Sequence, residues 1–480
     1  MIEKRQFYIN GEWVNPATPR DHNVIDPSTE EVCAVISLGD QADTDAAVAA
    51  AKAAWPAWAA TPAEERIALV EKLLEVYMSR SEEMAQAIST EMGAPIDLAR
   101  TAQVGAGMGH IKNFIRAAKG FDYNKPLSEK FADTRIIYEP VGVAALITPW
   151  NWPMNQVTLK VVAAIVAGCT MVLKPSEESP LDAILFAEMV DAAGFPKGVF
   201  NLVNGDGMGV GSQLTAHKDV DMVSFTGSTR AGIAISKSAA ETVKKVHLEL
   251  GGKGANVIFA DADEKAVGRG VMHMMNNSGQ SCNAPSRMLV ERSIYDQAVE
   301  QAAAAVAKVQ VGNAHDEGRH IGPVVNEVQF NKIQGLIEKG IEEGARLVAG
   351  GPGRPEGFNR GFYVRPTIFA DVTPDMTIYR EEIFGPVLCI SPFDSEEEAI
   401  EMANDTVYGL TNYVQTQDGS KANRMARALR SGMVEMNGQP RGPGAPFGGM
   451  KQSGNGREGG IFGIEDFLEI KAVGGWALDA

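Results

Sequence analysis

The amino-acid sequence predicts an α/β protein built around parallel β-sheets. From residue 141 onward, short apolar segments alternate with segments of helical periodicity. Such alternation is typical of parallel strands joined by right-handed crossovers. A chain of 480 residues, of which 45% are hydrophobic, is long enough for two or more domains with large cores. The predicted strands are 143–147, 170–173, 199–203, 222–225 and 246–250, and the helices between them are 153–166, 180–193, 209–216 and 231–240.

Composition and charge exclude several classes of function and binding site. The net charge of -17 argues against a nucleic-acid partner. The four cysteines, none in a CxxC pair, argue against a disulfide framework and a zinc site, and they fit the cytoplasm. The N-terminus lacks the apolar core of a signal peptide, and the longest apolar run, 161–167, is too short to span a bilayer. We therefore expect a cytoplasmic protein without a metal site or membrane contact.

The remaining elements follow in chain order. Strands 7–9 and 12–14 flank Asn10-Gly11, a strong β-hairpin signal. Residues 44–119 have helical periodicity and predict a packing scaffold. Residues 121–140 are polar and contain an alternating strand, which by itself predicts a surface hairpin. After residue 250 a second strand–helix series begins, with 257–259 and 288–290 as its first strands, and this marks a domain boundary.

One stretch, 245–287, carries the chemistry. It places Glu249 at the end of an apolar strand and Cys282 in a loop of small residues. A strand at 255–260 and a helix at 263–278 are predicted between them. A thiol beside a carboxylate suits covalent catalysis, in which the thiolate attacks an electrophilic carbon and the carboxylate then activates water. The alternative is that Cys282 is a small buried hydrophobic residue.

The amino-acid sequence of this stretch resembles that of a known family. Leu248-Glu249-Leu250-Gly251-Gly252-Lys253 followed by Gly279-Gln280-Ser281-Cys282 is similar to the two signatures of the aldehyde dehydrogenase superfamily. The resemblance extends from Phe7 to Lys471. Five further motifs occur in the family order, namely 149–153 (PWNWP), 174–177 (KPSE), 225–228 (FTGS), 381–386 (EEIFGP) and 446–449 (PFGG).

The resemblance implies a domain plan and an assembly. It implies the aldehyde dehydrogenase fold, in which a Rossmann-like cofactor domain adjoins an α/β catalytic domain and a small oligomerisation arm. In the family the arm pairs with a partner subunit, which implies a homotetramer formed as a dimer of dimers, with a homodimer as the alternative. The implied cofactor domain is 1–120 with 141–250, the catalytic domain is 251–450, and the arm is 121–140 with 464–480.

The cofactor site is inferred partly from position and partly from the resemblance. Lys174 and Glu177 follow strand 170–173, where a doubly wound sheet holds an adenosine ribose. A carboxylate there accepts both ribose hydroxyls and repels a 2'-phosphate, so Glu177 favours NAD over NADP. The glycine-rich run 205–211 does not fit GxGxxG. Without a cofactor role, Ser228 would be only a helix cap and Glu382 only one member of a solvated acidic pair. The resemblance assigns to the cofactor Trp150, Gly207, Thr226, Gly227, Ser228, Leu250, Lys332, Glu382 and Phe384.

The resemblance also assigns catalytic roles. Cys282 attacks the aldehyde to give a thiohemiacetal and then a thioester, while the Asn151 side chain and the Cys282 amide bind the oxyanion. Glu249 activates the water that releases the carboxylic acid. Its presence favours hydrolysis over acyl transfer to coenzyme A. Lys160 is assigned a supporting role. The alternative from another class is a catalytically silent structural relative.

The substrate pocket is predicted to be polar. Arg441 in the loop 438–445 is suited to hold a carboxylate tail, unless it faces solvent or a neighbouring subunit. We therefore predict a short polar or acid-tailed aldehyde, with a broad-specificity aliphatic or aromatic aldehyde dehydrogenase as the alternative. The implied pocket residues are Trp152, Gln156, Asn276, Ser281, Asn283, Arg441 and Phe447.

Overall fold

The computed structural model describes residues 1–476 and has four sheets flanked by helices. Its strands in chain order are β1 (Ile2–Lys4), β2 (Phe7–Ile9), β3 (Glu12–Val14), β4 (Asp21–Asp26), β5 (Glu31–Ser37), β6 (Asn124–Ser128), β7 (Phe131–Pro140), β8 (Val143–Ile147), β9 (Thr170–Lys174), β10 (Phe200–Leu202), β11 (Met222–Thr226), β12 (Lys245–Glu249), β13 (Ala255–Ile258), β14 (Arg287–Glu291), β15 (Arg346–Ala349), β16 (Thr367–Ala370), β17 (Val387–Phe393), β18 (Thr411–Gln415), β19 (Met433–Met436), β20 (Gly454–Asn455) and β21 (Leu468–Val473).

The helices cover the faces of these sheets. The first of them starts where the Asp40 side chain accepts hydrogen bonds from the amides of Ala42 and Asp43, a capping box that fixes its N-terminus. Within residues 1–476, no helix is both long and apolar enough to cross a bilayer. The helices are α1 (Gln41–Ala59), α2 (Ala63–Ser79), α3 (Ser81–Met92), α4 (Ile96–Leu98), α5 (Val104–Lys119), α6 (Pro153–Ala167), α7 (Leu181–Ala193), α8 (Ser212–Ala216), α9 (Thr229–Ala239), α10 (Ala266–Met275), α11 (Tyr295–Val306), α12 (Glu327–Glu342), α13 (Thr377–Arg380), α14 (Glu396–Asn404), α15 (Gly419–Ala428) and α16 (Gly460–Asp466).

The largest sheet has eight strands in the order β20-β12-β11-β8-β9-β10-β2-β3. The central run from β12 to β10 is parallel, as the alternation of strands and helices predicts. Strands β8, β9 and β11 are buried along their whole length. Such continuous burial is typical of parallel strands covered on both faces. The predicted hairpin of β2 and β3 is confirmed, and it adds to one edge of this sheet.

A second sheet of seven strands follows residue 250, in the order β15-β16-β17-β14-β13-β18-β19. It is parallel except at β15. β12, which ends at Glu249, belongs to the first sheet, and β13, which starts at Ala255, belongs to the second. The site-bearing stretch therefore passes from one sheet to the other. The domain limits themselves stay a prediction.

A three-stranded antiparallel sheet, β21-β7-β6, contains strands from both segments of the predicted arm, whose role in assembly stays a prediction. The C-terminal strand pairs with β7 of the same chain, from Leu468 opposite Pro140 to Val473 opposite Arg135. One part of the prediction differs here, because residues 464–466 end helix α16 and do not belong to the strand. Residues 477–480 of the predicted arm lie outside the described residues.

Two predicted helices near the site are shorter than expected. The helix predicted at 263–278 ends at Met275, because Asn277 and Ser278 adopt left-handed backbone angles that a right-handed helix excludes. The helix predicted at 209–216 begins at Ser212, after a π-type turn over Gly207–Gly211. In both places the apolar residues keep helical spacing, but glycine or asparagine residues form a turn there.

Candidate active site

The loop that carries Cys282 is held by backbone contacts. Asn277 and Ser278, with φ of 51° and 55°, turn the chain out of α10 towards the cysteine. Two consecutive non-glycine residues in this region are costly and occur mainly where function requires them. Gly252 lies against the loop, and a Cβ there would be 2.4 Å from the carbonyl oxygen of Cys282. Only glycine lets the segment after Glu249 pack directly on the cysteine loop.

Two cavities meet at Cys282. The first has a volume of about 240 Å³ and the second of about 440 Å³, and Cys282 lines both. The first is lined by the predicted cofactor residues Trp150, Thr226, Gly227, Ser228, Leu250, Lys332, Glu382 and Phe384, together with Pro149, Asn151, Gly251 and Gln329. The second contains the predicted substrate residues Trp152, Gln156, Asn276, Ser281, Asn283, Arg441 and Phe447.

The first cavity suits a dinucleotide. The Thr226 hydroxyl is buried and has no hydrogen-bond partner within residues 1–476, so it is free for a ligand. Ser228 accepts a hydrogen bond from the Ala231 amide at 3.3 Å and caps α9, whose N-terminus faces this cavity. Trp150 and Phe384 meet edge to face with ring centroids 5.5 Å apart. An unpaired hydroxyl, a helix N-terminus and an aromatic wall together fit a phosphate-bearing cofactor with a flat ring.

Glu382 turns into this cavity and is not part of a solvated acidic pair. Its Oε1 accepts a hydrogen bond from the Gly252 amide at 2.9 Å, and its backbone carbonyl accepts one from Lys332 Nζ at 2.9 Å. Burial raises the pKa of Glu382. Its neighbour Glu381 is exposed. The structure thus separates the two acids that are adjacent in the sequence.

The remaining predicted cofactor residues lie outside the lining of that cavity. Lys174 is the last residue of β9, Glu177 follows this strand, and Gly207 follows the adjacent strand β10. Lys174 Nζ donates to the carbonyls of Pro175 at 2.8 Å and Gly205 at 2.5 Å, and it lies 3.3 Å from Glu177 Oε2. Gly207 is exposed. These contacts bring the two strand ends together, at the edge where an open α/β sheet binds its ligands.

Asn151 is fixed next to the cysteine loop. Its side-chain Nδ2 donates a hydrogen bond to the Gln280 carbonyl at 2.9 Å, and its own carbonyl accepts bonds from Gln103 at 3.1 Å and Asn277 at 2.9 Å. A primary amide has two N–H donors. One donor of Asn151 therefore anchors the side chain, and the second can serve an oxyanion.

The Cys282 sulfur is disfavoured as a thiolate in the protein alone. Burial raises the pKa of the Cys282 thiol, and the carboxyls of Glu382, Glu249 and Glu458 raise it further. The residue's own backbone amide acts in the opposite direction. The thiol is therefore the resting form, and its attack on a carbon requires removal of the proton by a base.

Glu249 has the properties of such a base. It is the last residue of β12 and is almost fully buried. Burial raises its pKa to about 7, an effect that His247 opposes and Glu458 reinforces. Its Oε1 lies 3.4 Å from His247 Nε2, and its Oε2 has no hydrogen-bond partner within residues 1–476. A carboxyl that is half ionised near neutral pH can both accept and return a proton.

Lys160 forms a buried ion pair with Glu458, with 2.5 Å between Nζ and Oε1. Sequence reasoning named Lys160 but missed Glu458, which follows a glycine-rich segment far along the chain with no local signal. It also missed His247, for which a signal existed. Residues two apart on a strand share a face, so a histidine two positions before Glu249 is its neighbour.

Much of the lining of the second cavity is uncharged and polar, although Arg441, Glu435 and Glu458 also line it. Trp152 Nε1 donates to the Ser281 hydroxyl at 2.8 Å, and His110 Nε2 lies 2.7 Å from Asn155 Oδ1. Burial lowers the pKa of His110 and of His273, which also lines the cavity, so both rings are neutral at physiological pH. Neither histidine belongs to a motif, and the sequence did not indicate them.

Arg441 lines the second cavity, but its charge is already compensated. Its Nε donates to Glu435 Oε1 at 2.9 Å, and its guanidinium lies 5.2 Å from the Phe447 ring. Glu435 also lines the cavity. The sequence did not indicate Glu435, which lies on β19 and outside the loop 438–445.

Comparison with known proteins agrees with this geometry. A sequence model of the aldehyde dehydrogenase family matches residues 13–473. Among curated proteins, the chain is 50% identical to a 3-succinoylsemialdehyde-pyridine dehydrogenase from a Pseudomonas species, and the match covers 99% of both chains.

Solved structures give the same result. An aldehyde dehydrogenase from Bartonella henselae superposes with a TM-score of 0.99 at 60% identity, covering 99% of this chain and 100% of that chain. Aldehyde dehydrogenase C from Pseudomonas syringae, solved as a cysteine-to-alanine mutant with NAD+ and octanal, superposes with a TM-score of 0.97 at 49% identity. That match covers 99% of this chain and 97% of the other.

Proposed function

The chain belongs to the aldehyde dehydrogenase family, and from this premise we propose that it oxidises a polar aldehyde to the carboxylic acid with NAD. The observation that carries the proposal is the position of Cys282 at the junction of two cavities. A thiol at such a junction can hold the aldehyde carbon between a cofactor on one side and the substrate tail on the other.

In the first half of the reaction, Cys282 is the nucleophile. Its proton passes to a base, for which Glu249 is suited, and the thiolate adds to the aldehyde carbon to give a thiohemiacetal. The second N–H of Asn151 and the Cys282 backbone amide stabilise the negative oxygen. NAD, when bound, supplies the acceptor for the hydride of this carbon, and a thioester remains on Cys282.

In the second half, Glu249, after releasing the thiol proton to solvent, is the base for hydrolysis. Its unpartnered Oε2 takes a proton from water, and the hydroxide adds to the thioester carbon. The carbon–sulfur bond breaks, the acid leaves, and the sulfur recovers a proton. A buried carboxyl at this point favours water over coenzyme A as the acyl acceptor.

NAD is the cofactor that the first cavity fits. Thr226, Gly227 and Ser228 would hold the diphosphate at the N-terminus of α9, and Lys332, Glu382 and Phe384 would lie at the nicotinamide end. Lys174 and Glu177 would hold the adenosine ribose, where the Glu177 carboxylate would disfavour a 2'-phosphate. The Pseudomonas syringae neighbour was solved with NAD+, which supports this assignment.

The aldehyde has a polar tail without a free carboxylate. The second cavity offers amide and neutral imidazole groups, and Arg441 is paired with Glu435, so a substrate carboxylate would compete with Glu435 for Arg441. A volume of about 440 Å³ also admits more than a short chain. The Pseudomonas relative is named for a semialdehyde joined to a pyridine ring, a tail of this polarity and size.

The active form is a cytoplasmic homotetramer built through the arm. Strand β6 is exposed along its whole length, and Leu127, Phe131 and Ile470 of the arm are also exposed. Apolar side chains at an open sheet edge favour burial by another subunit. Light scattering coupled to gel filtration measures the mass of the assembly. A dimer would contradict the tetramer, and a monomer would also contradict the role of the arm.

The decisive test is Glu249→Gln. The amide keeps the size of the side chain but cannot accept a proton, so we expect NADH formation to stop at one NADH per active site and the steady-state rate to be at least about 100-fold lower. Stopped-flow absorbance measures both phases. Glu381→Gln, at an exposed acid, is the matched control and should leave both unchanged.

Two other outcomes would change the assignment. Full turnover by Glu249→Gln would remove Glu249 as the base. An absence of NADH from the wild-type enzyme with every aldehyde and either cofactor, together with an unreactive Cys282 in a thiol titration, would favour the catalytically silent alternative.

A further inference from the structure

A buried histidine with no role in the reaction above lies between two carboxylates. His247 Nε2 is 3.4 Å from Glu249 Oε1, and its Nδ1 is 3.0 Å from Asp466 Oδ2. The side chains of His247 and Glu249 are only 3% and 2% exposed, whereas that of Asp466 is 24% exposed. The three groups form a row that runs from the proposed base towards the surface.

The local fold fixes this row. His247 and Glu249 are two residues apart on β12 and therefore share a face of the sheet. Asp466 ends helix α16, and its Oδ2 also accepts the Arg457 amide at 2.8 Å. On the other side, Gly448 has a φ of 151°, and a Cβ there would be 2.6 Å from Glu249 Oε1. The Glu249 carboxyl is thus confined from two directions at Oε1.

The charges around His247 favour its protonated form. Burial alone lowers the pKa of His247, but Asp466, Glu249 and Glu458 together outweigh burial and raise it to about 9. Asp466 stays ionised, because the interactions with His247, the Arg457 amide and Lys245 hold its pKa below the usual range despite burial. The other charged groups facing Glu249 are Glu458 and Lys160, which pair with each other.

We propose that His247 is a positioning residue for the general base: backed by Asp466, its imidazolium binds Oε1 of Glu249, keeps this carboxyl ionised and leaves Oε2 for the hydrolytic water. The inference rests on the proposed function, because it assigns a role within hydrolysis of the thioester. His247 does not touch the reacting atoms. It acts through Glu249.

The consequence is a pH dependence with a definite sign. The base works in its ionised form, so hydrolysis fails as the pH falls through the Glu249 pKa of about 7. Removing the neighbouring positive charge raises that pKa and moves the failure to higher pH. Above the His247 pKa of about 9 the imidazolium is lost in the wild type as well, so the difference between wild type and variant should fade.

The experiment measures hydrolysis directly. Decay of the covalent acyl-enzyme is followed by acid quench and intact-protein mass spectrometry across pH 5.5 to 9.5, a range of about four units around these pKa values. For His247→Gln, which keeps a donor but loses the charge, we expect the acidic limb of the decay rate to move up by about one unit. For Asp466→Asn we expect a smaller shift in the same direction. Both should keep one NADH per site in the burst.

The controls separate positioning from structure. His315→Gln removes another histidine paired with an aspartate, His315 with Asp26 at 2.8 Å, far from the site, and should leave the limb in place. If His247→Gln does not fold, as judged by circular dichroism, Asp466→Asn carries the test. An unshifted limb in every folded variant of this pair overturns the proposal while the proposed function stands. A wild-type enzyme that forms no acyl-enzyme overturns the proposed function itself.

Discussion

The site consists of two regions that differ in how they are built. In the inner region, Cys282 and Glu249 are held by backbone contacts at Gly252 and Gly448 and by buried charges. In the outer region, the loop from residue 438 to 445 forms the cavity mouth through side chains, chiefly the Arg441–Glu435 pair. The chemical steps are the same for many aldehydes, so they constrain the residues of the inner region. The choice of aldehyde depends on the residues of the outer region.

The largest effect should come from the inner region. Replacing Cys282 with alanine removes the proposed nucleophile. Within residues 1–476, no other cysteine lines both cavities. We expect NADH formation to fall by more than about 1,000-fold, since covalent catalysis has no substitute at this position. Absorbance of NADH under saturating aldehyde measures it.

The matched control for this variant is Cys33→Ala. Cys33 is partly buried in β5, outside both cavities, and its loss should leave the rate within about two-fold. If Cys282→Ala retained substantial activity, the inner region would be only a scaffold, and the contrast with the mouth would lose its basis.

The sequence indicates the inner region through short motifs, and this has a physical reason. Glycines such as Gly252 are needed where one backbone touches another, and Glu249 and Cys282 occupy positions beside them, so the chemistry leaves a mark in short motifs. The parallel strands were likewise visible, because β8 and β9 are buried on both faces and therefore read as continuous apolar runs.

The other residues of the site are not indicated by any short motif in the sequence. Glu458 and Asp466 reach the site from a segment about 200 residues after Glu249, and Glu435 reaches Arg441 from a different element. These pairs depend on tertiary packing, which periodicity does not encode. The helix predicted to 278 failed for the opposite reason, since three left-handed residues in a row are a tertiary requirement that local propensity opposes.

An intermediate effect is expected at the far end of the cofactor site. Glu177 lies 3.3 Å from Lys174, and its carboxylate should disfavour the 2'-phosphate of NADP. We expect the wild type to prefer NAD by at least about ten-fold in kcat/KM, and Glu177→Gln to reduce this preference by about ten-fold. Initial rates with both cofactors measure the ratio. If the wild type used NADP equally well, Glu177 alone would not determine the cofactor preference, just as no single motif residue determines specificity at the mouth.

The smallest effect, and the sharpest for the comparison, concerns the mouth. Glu435→Gln removes the anion that holds Arg441 and frees the guanidinium for a substrate carboxylate. We expect kcat/KM for an acid-tailed aldehyde such as succinic semialdehyde to rise by about three- to ten-fold, while that for hexanal changes by less than about two-fold. Arg441→Ala in the same background should abolish the gain.

The control for this switch is Glu396→Gln, which breaks a glutamate–arginine pair with Arg424 on the surface away from the cavity. If Glu435→Gln changed both substrates equally, the pair would shape the loop without selecting charge. If the wild type already preferred succinic semialdehyde, Arg441 would bind carboxylates despite Glu435, and the acid-tailed alternative predicted from the sequence would replace the neutral polar one. The second result would locate specificity in a side chain of the mouth, Arg441, that no motif of the inner region reveals.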